Sequence, residues 1–305
     1  EVARAFRDAA IAFWRAYKPG LRSEGADTST IPYALIFAMT GLSIEAQERE
    51  DFPSGLDPEE VDQALRYLTS ELNGFPEWLE SFYKVFPERV LAAVHKELDW
   101  ELDNSGPDTA HHYILHDLVY YGSWLHGALA PRLIERFMSQ NFPNDDVLRH
   151  ALNILAGGKT DPAKLLQLAK RGIAAKPGSN RLATWYALWV DLEPATGIPA
   201  LEKWLARLKA REAQEAAQSF ITRLVGARGM RREIELGAGN FKQPAHLKSL
   251  YVLMHKYIRA CEDIDRVGGG VYSPELRDDA QNARNMLFNL LVEMPGKESY
   301  IAITE

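Results

Sequence analysis

Apolar residues recur at helical spacing along nearly the whole chain, and no segment alternates apolar and polar positions long enough to predict a strand. Over Val2 to Tyr17 the positions Ala5, Phe6, Ala9, Ala10, Phe13, Trp14 and Tyr17 predict an amphipathic helix that stops before Pro19 and Gly20. A second helix is expected from about Pro32 to Glu50, with Tyr33, Ile36, Phe37, Met39 and Leu42 as its stripe. Asp57, Pro58 and Glu60 signal the start of a third, carrying Val61, Leu65, Leu68 and Leu72 as far as Gly74. A short helix after Pro76, a long one from Pro87 through Leu102, and a pair over about 109–120 and 123–140 come next. Segments 144–155, 161–176, 180–192, 198–209 and 212–225 continue the alternation, and two more helices follow Pro244 and Ser273-Pro274-Glu275.

Proline is favoured in a helix's first turn, where its missing N–H would be unpaired in any case. Pro87, Pro131, Pro162 and Pro199 each read as opening a helix that is followed by a second one. Their spacing suits helical repeats, for which about 33 to 47 residues is usual, although no residue pattern recurs with them. The expected fold is all-α: an irregular, right-handed α-solenoid of antiparallel helical hairpins, HEAT- or TPR-like. Residues 1–226 form the array, 227–245 a glycine- and arginine-rich connection, and 246–305 a carboxy-terminal helical portion. The opening at Glu1 and the apolar end Tyr300 to Ile303 suggest a segment of a longer chain.

Composition narrows the functions. The 305 residues are 46% hydrophobic and 10% aromatic, enough for a buried core, and the net charge of -7 argues against nucleic acid as the primary partner, since phosphate neutralisation needs Lys and Arg in excess. The densest basic stretch, Arg223, Arg228, Arg231 and Arg232, runs at once into Glu233 and Glu235 and reads as a solvated helix end. Cys261 is the single cysteine, so there is neither an internal disulfide nor a thiolate cluster for zinc. With no run of eighteen apolar residues and no signal-peptide pattern, the expected setting is cytoplasmic.

Candidate chemistry is sparse. His111, His112 and His116 with Asp117 form the most metal-like group, because His112 and His116 would share one helical face at i, i+4. Tyr113, Ile114 and Leu115 stand between them, so the glutamate of a His-Glu-x-x-His motif is missing. Gly157-Gly158-Lys159-Thr160 is superficially like a phosphate loop, but Asn153 occupies the place of the first glycine and a helix precedes it; two glycines ending one helix and Thr160 or Asp161 capping the next account for it better. Glu262, Asp263 and Asp265 lie in a loop with Gly268, Gly269 and Gly270, and Asp278 and Asp279 follow. Oxygen ligands of this kind suit calcium or magnesium, yet the EF-hand order is absent, and pairing with Arg266 or Arg277 is the simpler role. Ser123, Ser219 and Cys261 lack the context of a nucleophile. The remaining feature is aromatic: Trp185, Tyr186 and Trp189 on one helix with Trp204 on the next, and Tyr120, Tyr121 and Trp124 elsewhere. Such residues usually fill the space between helices, but on a solenoid they also anchor protein partners.

The stretches Leu247 to Tyr251, Glu262 to Asp265, Gly268 to Pro274, Arg277 to Ala280 and Pro295-Gly296-Lys297, together with Phe75-Pro76-Glu77-Trp78 and His116-Asp117-Leu118, resemble the helical region of large bacterial NACHT- or STAND-type NTPases, several of which act in antiphage defence. The resemblance covers about half the chain and contains no nucleotide-binding motif. It implies an ATP-binding module outside this segment and a helical arm that senses a ligand or packs on that module. The function expected is therefore non-enzymatic recognition or scaffolding through a protein partner or adjacent domains, with no cofactor. A metal-dependent helical enzyme centred on the histidine group is the alternative, and a self-associating repeat a third reading.

Overall fold

The computed structural model describes residues 1–226, 238–266 and 273–304, and among them every regular element is helical. Fifteen α-helices are seen: α1 Val2–Ala16, α2 Tyr33–Glu48, α3 Pro58–Leu65, α4 Leu79–Val85, α5 Pro87–Asn104, α6 Ile114–Tyr120, α7 His126–Ser139, α8 Asp145–Gly157, α9 Pro162–Ala174, α10 Ser179–Leu192, α11 Pro194–Leu205, α12 Ala210–Val225, α13 Pro244–Tyr257, α14 Leu276–Val292 and α15 Lys297–Thr304. No helix is long and apolar enough to cross a membrane among the described residues. The chain divides into two compact units, one of residues 1–133 with 142–158 and one of residues 134–141 with 159–305.

Pro87 and Pro162 open α5 and α9 as expected, and Asp161, not Thr160, caps α9 by accepting from the Ala163 N–H at 2.9 Å. Pro131 and Pro199 do not open helices. Each is the sixth residue of one, because α7 is entered from a 3-10 turn at Ser123–Leu125 and α11 is opened by Pro194 instead. A proline there removes one i to i−4 bond, and the resulting loss is tolerated close to the first turn. The third helix also ends early: after Leu65 the chain turns, leaving Leu68 buried and Leu72 79% exposed.

In the first unit, α1 lies against α2 at very close range. A Cβ on Gly41 would stand 1.9 Å from the carbonyl oxygen of Ala10, so only glycine permits this approach. Ala10, Trp14, Ala38 and Leu42 are wholly buried along the seam. Its polar centre is Glu45, which accepts from the Trp14 indole at 2.8 Å, from Arg15 at 2.5 and 2.7 Å, and from Arg49 at 3.1 Å. Burial favours the neutral acid, but the Arg15 and Trp14 hydrogen bonds outweigh it and hold the Glu45 carboxyl below its ordinary value. An Asp57/Glu60 capping box starts α3. Val90, Val94, Leu98 and Leu102 form the inward stripe of α5, and Glu24 is bound by Arg66 at 2.6 Å and Lys96 at 2.7 Å, which lower its carboxyl to about 2.

In the second unit a core cluster joins five helices. Ala183, Ala187 and Val190 of α10, Leu201 and Leu205 of α11, and Phe220, Ile221 and Leu224 of α12 pack with Leu247, Leu250 and Met254 of α13 and Leu287 and Leu291 of α14. Gly172 gives Trp185 its room, since a Cβ there would lie 2.2 Å from the indole. Most of the expected 227–245 connection, residues 227–237, lies outside the described residues. Where the chain returns, Asp191 accepts from the Ala238 and Gly239 N–H groups at 3.2 and 3.0 Å, and Phe241 is fully buried. Helices on both sides of that connection therefore share their interior.

Candidate functional site

Glu101, the last acidic residue facing inward on α5, organises the segment that carries the histidines. It is 5% exposed and accepts from the Tyr113 and Leu115 N–H groups at 2.5 and 2.8 Å, satisfying donors at the start of α6 that have no intrahelical partner. Burial nevertheless raises its carboxyl above the usual range. Because α6 begins only at Ile114, His112 precedes it and does not share a helical face with His116, contrary to the i, i+4 expectation. His111 is exposed, and His116 sits 3.3 Å from the Asp117 carboxylate. Among the described residues no group of three or more His, Cys, Asp or Glu is placed to hold a metal ion.

What the fold does assemble is a set of imidazoles that includes His150 of α8, a residue inside an expected helix but in no motif of the sequence. The His150 ring is 5.7 Å from His112 and 6.5 Å from His116, both edge-to-face. His112 Nε2 donates to Asn144 Oδ1 at 3.2 Å, and Asn144 caps α8 with the same oxygen while its amide holds the Gly106 and Thr109 carbonyls. Ser105 lies 3.4 Å from His112 Nδ1, giving a Ser-His-Asn order in space. Ser105 is 5% exposed and its hydroxyl donates to the Glu101 carbonyl at 2.6 Å, so it is spent on the backbone rather than poised as a nucleophile.

His150 is 6% exposed and its Nδ1 has no hydrogen-bond partner; burial first, then Arg149 and His112, lower it to about 4. The native state thus keeps His150 neutral where the unfolded chain would protonate it. Its contribution to stability is intact above the unfolded value near 6.5 and is lost as pH falls toward 4, by on the order of 3 kcal/mol in full. Urea unfolding at pH 7.5 and 4.5 should show a smaller acid loss in His150→Phe than in the wild type; equal losses would mean that His150 does not titrate differently on folding.

The aromatic residues part into two roles. Trp185 and Tyr186, expected at a partner surface, are 4% and 7% exposed and belong to the core, because that face of α10 meets α9 and α12. Trp189 and Trp204 are half-buried. Trp204 stacks on Tyr186 at 4.7 Å and 10°, Trp189 lies 6.1 Å away at 13°, and Lys170 is 5.0 Å above the Trp189 ring. The Trp189 indole N–H donates to Thr196 Oγ1 at 3.1 Å and Glu193 at 3.3 Å. In the first unit, Trp124 on the 3-10 turn packs on Tyr83 at 5.3 Å, while Tyr121 is half-exposed with its ring against Gly74.

In the acidic loop, Asp263 is bound by Arg277 at 3.1 Å and by Arg284 at 3.0 and 2.5 Å, and Asp278 is bound by Arg266 at 3.0 and 2.9 Å. Both arginine pairings expected from the sequence are present, and Arg284 adds a third. Gln281 exchanges two hydrogen bonds with the Ile264 backbone at 3.0 and 3.1 Å. These carboxylates are neutralised by guanidinium groups and do not converge. Gly268, Gly269 and Gly270 lie outside the described residues, as do Arg228, Arg231 and Arg232. Comparison with protein families, with curated proteins and with solved structures finds no match to this chain.

Proposed function

We propose that the chain is a non-enzymatic recognition or scaffolding arm, an irregular α-solenoid segment of a larger cytoplasmic NTPase-type protein with a role in antiphage defence. The reading draws on the NACHT/STAND-like stretches for its setting and on the Trp189–Trp204 ledge for its activity. That ledge is the observation that carries it. Two half-buried indoles are held parallel to a buried tyrosine, one with its N–H already bonded and a lysine over its face, so little rotamer freedom is left to lose on binding. Rigid, partly exposed tryptophans of this kind are the usual centres of protein interfaces.

The test is quantitative mass spectrometry of proteins recovered with the tagged chain from bacterial lysate, before and after phage infection. Trp189→Ala/Trp204→Ala should reduce recovery of a specific partner by about thirtyfold, the equivalent of about 2 kcal/mol from a hot spot. Lys170→Glu, on an exposed side chain that leaves the stack intact, should weaken it in the same direction. A partner set that ignores all three substitutions would remove the ledge as a recognition surface.

A further inference from the structure

α2 is apolar on two opposite sides. Its buried face, Ala38, Gly41, Leu42 and Glu45, closes on α1. Half a turn away, Ile36, Met39, Thr40, Ser43, Ile44 and Gln47 line an open hollow of about 580 Å³. A helix that is hydrophobic all round is normally buried all round. Here Tyr33 is 91% exposed and Ile36 48%, so an apolar face some 20 Å long lies uncovered.

The facing wall is the segment after α3. Ser70, Glu71 and Leu72 border the apolar hollow, and Asn73, Phe75, Glu77 and Trp78 border an adjoining one of about 500 Å³, the two sharing Ser43, Gln47 and Glu71. This wall is fixed in place. Gly74 adopts φ +86°, and the Tyr121 ring occupies the space a side chain would need. One end of the groove is therefore aliphatic and the other acidic. Among the described residues that line the two hollows there is no Lys, Arg or His; Glu71 and Glu77 both border the second hollow, and burial, then the Glu77 charge, raises the Glu71 carboxyl. Two neighbouring carboxylates without a cation call for a positively charged occupant, and they would repel an anionic lipid surface.

We infer that this groove receives an amphipathic helix of a protein partner, its apolar side chains seated between α2 and residues 70–78 and a Lys or Arg on it meeting Glu71 and Glu77. The inference rests on the recognition reading above and supplies the chemistry of one thing recognised. Spacing of i, i+3/i+4 and i+7 on the incoming helix would match Leu72, Ile36, Met39 and Ile44, and about four turns would fill the length.

A fluorescein-labelled Leu/Lys amphipathic peptide of roughly 14 residues is the probe, with a Leu/Glu peptide of the same pattern beside it. Anisotropy titrations of the full chain should give saturable binding of the Leu/Lys peptide alone, with amide shifts confined to α2 and residues 70–78. Glu71→Gln/Glu77→Gln should weaken it about tenfold and flatten its salt dependence. Ile36→Ser/Leu72→Ser, at exposed positions, should weaken it by a similar factor. Trp189→Ala/Trp204→Ala should bind the peptide like the wild type, so failure of the ledge and failure of the groove are read separately. Equal binding of the Leu/Glu peptide, indifference to both groove variants, or a dimer dissolved by Leu72→Ser in sedimentation would each overturn the inference.

Discussion

Arg284→Ala is expected to destabilise the carboxy-terminal unit by about 3–5 kcal/mol, the range for breaking a buried ion pair from one side. Arg284 is 2% exposed, donates to the Ile258 carbonyl at 2.7 Å, and grips both oxygens of Asp263. Removing the guanidinium leaves that carbonyl and much of the carboxylate without donors, and α14 loses its hold on the segment after α13. Replacing the pair together, as Arg284→Met/Asp263→Ala, should recover only part of the loss, because the Asp263 carboxylate is no longer stranded but Arg277, 12% exposed, loses its own bond to it. Urea unfolding of Arg284→Met, Asp263→Ala and the Arg284→Met/Asp263→Ala double variant closes a double-mutant cycle. A single-variant loss under about 1 kcal/mol would mean that the pair is solvated in a way its burial denies.

Gly41→Ala should cost about 3 kcal/mol, at the upper end of what one added methyl does in a packed interior. The new Cβ would sit 1.9 Å from the Ala10 oxygen and 2.2 Å from its carbon, both backbone atoms that no rotamer change can move. α1 must be pushed off α2, and the burial of Ala10, Trp14 and Leu42 goes with it. Gly127→Ala on α7 is the control: nothing lies within 4 Å of the place its Cβ would take, so the usual helix preference for alanine should leave stability unchanged or raise it. Thermal unfolding decides the matter, and a Gly41→Ala transition within about a degree of the wild type would show that the two helices can slide apart freely.

The helices are legible in the sequence because their apolar periodicity is strong and their caps are local: Asp57 with Glu60, Asn144 and Asp161 all act where their residue types predict. Pro131 and Pro199 mislead because a proline six residues into a helix and one at its first turn look alike without knowing where the helix begins. The stripe Tyr33, Ile36, Phe37, Met39 and Leu42 is visible, but it reads as a single buried face. Only the Gly41–Ala10 contact shows which side closes on α1 and which remains open. The histidine cluster is legible only as far as His112 and His116, since Glu101 delays the start of α6, His111 is exposed and His150 arrives from α8. Glu71 and Glu77 carry no motif, and their pairing depends on the turn that Gly74 makes.

The tryptophans give the two units separate optical signals. Trp14, wholly buried with its indole on the ionised Glu45 and a guanidinium 4.3 Å above its ring, reports the α1–α2 seam. Trp185, lodged against Gly172, reports the α9–α10 seam. Single-tryptophan versions retaining one or the other would let fluorescence follow each unit's unfolding in its own channel, so a loss in one half of the chain can be distinguished from collapse of the whole.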